Sequence, residues 1–155
     1  EGKTKKPLNI LEIEQGKYII SGYLDSGIWK FDWGKMNVEE YVTWKGHSHI
    51  MDMVFFGNYV VVPSMSDEYI YFVDPDSKAI YREKSPKGII ALKNYGDDAL
   101  IALSNFENKV SVYDSDRNLT AECVTGDYPI SMCVMDNRLY VLSMDSARID
   151  VFRLQ

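Results

Sequence analysis

The run Gly46-His47-Ser48-His49-Ile50-Met51-Asp52-Met53-Val54-Phe55-Phe56, followed by Ser64-Met65-Ser66-Asp67-Glu68-Tyr69-Ile70-Tyr71-Phe72-Val73-Asp74, decides how the whole chain is read. A Gly-His pair opens an apolar strand, a second strand follows, and Asp-x-x-Ile leads into a third strand that closes on Asp. The same unit recurs along the sequence. Its closing positions are Asp32, Asp74, Asp114 and Arg153, at spacings of 42, 40 and 39 residues. A period near 40 is that of a four-stranded propeller blade.

The interior of each unit repeats too. First strands are expected over Leu8 to Ile13, Ile50 to Phe55, Ile89 to Lys93 and Ile130 to Val134. Second strands follow over Tyr18 to Ser21, Tyr59 to Val62, Leu100 to Leu103 and Leu139 to Leu142. Between them lie the polar turns Gln15-Gly16, Gly57-Asn58, Gly96-Asp97-Asp98 and Asp136-Asn137. A fourth strand is expected in three units: Glu40 to Thr43, Ala79 to Arg82 and Leu119 to Val124. Val, Ile, Tyr and Phe dominate, and no stretch holds a helical period for more than two turns. Second strands such as Tyr59-Val60-Val61-Val62 are apolar without alternation, as strands buried on both faces must be. Blades bury both faces against their neighbours, whereas a β-sandwich has no need of a 40-residue period. The fold class expected is therefore all-β, with antiparallel four-stranded propeller blades.

On these residues the chain resembles the WD40-repeat family in degenerate form. Gly46-His47 stands where that family opens a blade, Asp67-Glu68-Tyr69-Ile70 where it has Asp-Gly-x-Ile, and Val73-Asp74 where it has Trp-Asp. The resemblance implies a structural clasp in which His47 donates to Asp67, with Ser64 or Ser66 as third member. Asp25-Ser26-Gly27-Ile28, Glu107-Asn108-Lys109-Val110 and Ser146-Ala147-Arg148-Ile149 are the sister turns, and no unit carries Trp-Asp itself. The last two units also resemble YVTN-type propeller repeats, through Gly126-Asp127-Tyr128-Pro129 and Arg138-Leu139-Tyr140-Val141-Leu142.

Counting units gives a polar N-terminal tail at 1–7 and blades at 8–45, 46–86, 87–125 and 126–155. The last unit lacks its outer strand, so about three and three-quarter blades are present. A ring of seven or eight blades is expected, completed by another chain, a second copy or further parent sequence.

The formal charge of −6 argues against a nucleic-acid surface, which needs dense Lys and Arg to displace counterions. No apolar run approaches the roughly 18 residues of a membrane span. Cys123 and Cys133 have neither a disulfide framework nor metal-ligand spacing, and a reduced intracellular setting is the expectation. His47 and His49 lack a third ligand, and Asp25, Asp67, Asp97, Asp98, Asp114 and Asp116 fall in turns without EF-hand spacing. Glu12, Asp52, Lys93 and Met132 occupy first-strand places facing the channel, a thin set for catalysis. No catalytic residue, metal or cofactor is expected. The expected role is a non-catalytic scaffold that docks a protein or peptide, with a YVTN- or lactonase-type enzyme or ligand-binding protein as the alternative. Loops of one propeller face are the recognition surface, on which Leu24, Glu68, Asn105, Phe106, Tyr128 and Arg148 are the candidate partner-binding residues.

Overall fold

Short β-branched runs separated by two-residue polar turns have one economical solution, the antiparallel hairpin, and the chain repeats it throughout. The computed structural model describes residues 6–24, 26–45 and 49–154. Among them are fifteen strands and no helix. The first sheet holds β1 (Pro7–Glu14), β2 (Lys17–Gly22), β3 (Gly27–Asp32) and β4 (Asn37–Thr43). The second holds β5 (Val54–Phe56), β6 (Tyr59–Pro63), β7 (Tyr69–Val73) and β8 (Ile80–Lys84). The third holds β9 (Ile89–Tyr95), β10 (Ala99–Ser104), β11 (Lys109–Asp114) and β12 (Leu119–Val124). The fourth has three strands, β13 (Pro129–Met135), β14 (Arg138–Ser143) and β15 (Arg148–Arg153). Every strand pairs antiparallel with its sequence neighbour, so these are four successive propeller blades.

Pairing fixes which residues are equivalent. Asp32 lies opposite Lys17, Asp114 opposite Ala99, and Arg153 opposite Arg138, while Val73 lies opposite Val60. Ile28, Ile70, Val110 and Ile149 therefore occupy one repeat position, and Tyr18, Val60, Leu100 and Leu139 another. The turns follow the same logic. Asp136 and Asn137, the whole loop between β13 and β14, both have positive φ, as a two-residue type I′ hairpin requires.

Three apolar clusters hold the blades together. Ile19, Ile28 and Val42 of the first meet Ile50, Val60, Val62 and Tyr71 of the second. Val61, Ile70 and Phe72 meet Ile89, Leu92, Leu100 and Tyr113. Ile101, Leu103 and Val110 meet Leu139 and Val141. Polar ties reinforce the outer rims: Tyr41 Oη donates to the Pro75 carbonyl, Tyr113 Oη to the Lys84 carbonyl at 3.1 Å, and Arg117 Nη1 to Tyr59 Oη at 2.7 Å. Among the described residues no apolar cluster joins the fourth blade to the first.

Two expectations about strands need correcting. The first strand of the second blade is only Val54–Phe56, not Ile50 to Phe55. Ile50 and Met53 are buried as the apolar pattern required, but Asp52 diverts the backbone. One of its oxygens accepts from its own neighbour Met53 N–H at 2.8 Å and the other from Leu92 N–H of the third blade at 2.7 Å. Of the expected tail at 1–7, the described residues 6 and 7 join the first sheet. Pro7 begins β1, and the Lys6 carbonyl accepts Tyr23 N–H, extending the ladder by one more pair. Proline is tolerated at the first residue of a strand, where its missing donor has no partner to lose.

Candidate docking face

The turns after each second strand and the connections that open each blade lie at one end of the sheets. A single backbone bond marks where they meet. Tyr23, Met65, Asn105 and Met144 donate their N–H groups to the carbonyls of Lys6, His49, Gly88 and Tyr128, in that order. Three of the accepting residues are left-handed: Gly88 at φ +72°, Lys6 at +52° and Tyr128 at +52°. Glycine takes this conformation without strain, whereas a bulky residue pays a real steric penalty.

Serines close the second strands of the last three blades. Ser64, Ser104 and Ser143 are fully buried at equivalent positions. Ser64 Oγ accepts from Ser66 and Asp67 N–H at 3.3 and 3.2 Å, and Ser104 Oγ accepts from Glu107 N–H at 3.1 Å. The Ser64 and Ser104 hydroxyls hold their face loops in shape, whereas the Ser143 Oγ is buried without a partner. The repeat of serine is present in the sequence at spacings of 40 and 39, but it becomes meaningful only once the strand register is known.

His47 lies outside the described residues, as do Gly46, Ser48 and Asp25. The other clasp members have partners. Asp67 accepts from Tyr69 N–H at 3.1 Å and from Tyr71 Oη at 2.9 Å. Tyr71 stacks on Trp44 of the first blade with ring centres 4.9 Å apart. Burial, then the hydrogen bond to the Asp67 carboxylate, pushes the Tyr71 phenol up to about 12. His49, expected to be an ordinary loop residue, holds Ser66 Oγ at 2.6 Å and packs on the Tyr23 ring at 4.6 Å.

The candidate recognition residues do not all share one environment. Leu24 is exposed on the first blade. Glu68 pairs with Lys87 at 3.1 Å, and Lys87 N–H donates to Glu107 at 2.9 Å, which links the second blade to the third. Asn108 Oδ1 accepts from Tyr128 N–H at 2.9 Å, while its amide reaches Asp127 at 3.3 Å, which links the third to the fourth. Phe106 lies over Gly88, where an added Cβ would come within 2.5 Å of the ring, yet it remains 58% exposed. Tyr128 is 41% exposed. Arg148 is tied to Asp150 at 2.9 Å, and Asp150 in turn accepts Gly126 N–H at 2.6 Å. Asn105, expected on the surface, is only 8% exposed, and its buried Oδ1 has no partner.

Beside this rim is an open hollow of 310 Å³ bordered by Glu68, Glu107 and Glu122, with Lys84 and the apolar Leu119. Lys109 reaches Glu107 and Glu122 at 3.4 and 3.9 Å. Each of the three glutamates thus has a lysine partner at this rim, and Lys84 stands beside them. The perturbed titrating groups have structural causes. The Asp74 and Asp114 carboxyls sit below the usual range because turn N–H groups donate to them, and burial raises the Tyr113 phenol. Asp52, placed facing the channel by the sequence, is spent on backbone N–H groups. Among the described residues, no three His, Cys, Asp or Glu side chains are grouped to hold a metal ion, and no helix is long and apolar enough to cross a membrane.

Solved structures share this architecture. Virginiamycin B lyase from Staphylococcus aureus aligns with a TM-score of 0.74 at 17% identity, over 96% of this chain and 56% of the lyase. BamB from Moraxella catarrhalis aligns at 0.69 and 11% identity, over 95% of this chain and 43% of its own. The computationally designed Ika4 protein aligns at 0.77 and 12% identity, over 99% of this chain and 93% of that one. The chain therefore spans about half the length of the natural propellers and nearly all of the designed one. At these identities the likeness shows the fold, a β-propeller, and nothing of the chemistry. No protein-family model matches the chain, and no characterised sequence matches it closely enough to count as a relative.

Proposed function

We propose that this chain is a WD40-like propeller segment that acts without catalysis, as a scaffold docking a protein or peptide within a larger assembly. The observation that carries the reading is Tyr128. It is a large aromatic residue held at φ +52°, a place that the third blade gives to glycine, and its ring stays in solvent. A left-handed bulky residue costs on the order of 1–2 kcal/mol, and such strain clusters at binding sites. Phe106 is on the adjoining blade, and the Glu68–Lys87–Glu107 and Asn108–Tyr128 links tie together the loops that carry the two residues. Exposed aromatics rimmed by paired Glu and Lys side chains suit a segment with large apolar anchors.

A phage-displayed peptide library selected on the chain tests this. Enriched peptides should carry large apolar residues. Phe106→Ala and Tyr128→Gly should each weaken their binding at least tenfold, while Tyr128→Gly leaves the melting temperature unchanged or higher. Binding indifferent to both substitutions would refute the docking face. Stoichiometric metal retained through purification, or hydrolysis of a lactone panel, would replace the scaffold reading with an enzyme.

A further inference from the structure

Each blade has two faces, and in the interior of the molecule both are covered. At the ends they are not. Ile28, Ile70 and Val110 are buried against the next blade, but Ile149, their equivalent in the fourth blade, is 63% exposed, and Val151 and Leu142 beside it are exposed as well. At the other end Ile10 lies opposite Ile20, as Leu92 lies opposite Ala102 in the third blade. Leu92 is 3% exposed and Ile10 is 63%. The residues that seal every internal junction are thus present on both end faces and uncovered.

The two faces complement each other. By strand alternation the open face of the first blade presents Glu12 and Glu40, both exposed, and no lysine or arginine from its strands. The open face of the fourth presents Arg138 and Arg153, opposite one another and both exposed, and no acid. Glu12 lies opposite Tyr18, which is equivalent to Leu139, so it stands at the level of Arg138. In the third blade the place of Glu12 belongs to Asn94, whose amide crosses the junction to the Phe55 carbonyl at 2.6 Å. Glu12, which as a carboxylate can only accept, needs a donor across the junction, and Arg138 is one.

We infer that two copies of this chain close into one eight-bladed ring, the open face of each fourth blade seated on the open face of the other's first blade. Four blades and four make eight, within the four to eight that propellers use. Both junctions are head-to-tail, and a twofold axis along the channel closes them, so no face is left over to propagate a fibre. A foreign partner would have to match an apolar acidic face and an apolar basic face separately, whereas a second copy matches both at once. This inference is independent of the docking face: Phe106→Ala should leave the association intact.

Light scattering of the 155-residue chain across a concentration series should give twice 17.8 kDa. A monomer persisting at 100 µM (about the highest practical concentration), or an open series of larger species, overturns the proposal. Ile149→Asp and Ile10→Asp, each with unchanged circular dichroism because both side chains are solvent-facing in the single chain, should each remain monomeric. An equal mixture of the two should form a heterodimer, since one junction then joins two intact faces. Dimer formation by either variant alone would mean a symmetric face-to-face contact and would refute the ring. As a second readout, alkylation of Cys133, exposed in the middle of the fourth blade's open face, should slow as concentration rises; a constant rate refutes burial there.

Discussion

Replacing isoleucine by alanine at two equivalent repeat positions should give two very different costs. Ile70 is fully buried between the second and third blades, and Ile149 is largely exposed on the fourth. Deleting three carbons forfeits roughly 2.4 kcal/mol of transfer free energy, at about 0.8 kcal/mol per carbon. At Ile70 the surrounding sheets cannot collapse fully, so the residual cavity brings the loss to about 3–4 kcal/mol, within the range seen for core truncations. At Ile149 only about a third of the side chain is out of water and no cavity forms, so about 0.8 kcal/mol is lost. Urea unfolding resolves the difference: with a slope near 1.5 kcal/mol/M, the midpoint should fall by about 2–3 M for Ile70→Ala and about 0.5 M for Ile149→Ala. The comparison belongs in dilute solution, where the chain is a monomer. At high concentration the cost at Ile149 should grow, because the second copy covers it. Equal losses in dilute solution would refute the assignment of an open end face.

Asp52→Ala should cost about 1–3 kcal/mol, because it leaves the buried Leu92 N–H without an acceptor; loss of hydrogen-exchange protection at Leu92 is the direct check. Tyr71 predicts a sensitivity to alkali. Its phenol is raised from the ordinary 10 to about 12 in the folded chain, so the stability it contributes is complete below pH 10 and is lost as pH climbs from 10 to about 12. Tyr71→Phe should flatten the dependence of melting temperature on pH across that window, and an unchanged slope would show that burial and the Asp67 bond do not hold the Tyr71 phenol protonated there.

The blade count was legible because Asp32, Asp74, Asp114 and Arg153 mark strand ends, where the hairpin geometry of each unit is the same. The apolar second strands were legible for the reason that they are buried on both faces and need no alternation. Places where side chains act on distant backbone were not. Nothing in Ile50-Met51-Asp52-Met53 announces that Asp52 will bond Leu92, forty residues away, and end the strand. Asn105 has the residue type of an exposed loop, yet it is only 8% exposed. Tyr128 is a candidate by its loop position alone. Its left-handed backbone, the more telling property, has no sequence signature, since glycine is the residue that ordinarily advertises it. The complementarity of the end faces was likewise hidden, because it depends on alternation within strands whose register only the pairing reveals.

The three apolar clusters have no residue in common, and each joins only consecutive blades. Long-range order in this molecule is therefore assembled from local agreements, much as a row of coupled spins acquires its alignment from nearest neighbours. Unfolding should proceed inward from the ends. Amides of β13 to β15 and β1 should exchange through the smallest openings, and those of β6, β7, β10 and β11, sandwiched on both sides, through the largest. The arrangement also makes length a quantity that changes by whole blades, since inserting or deleting one unit alters a single pair of interfaces and leaves the remainder of the row untouched.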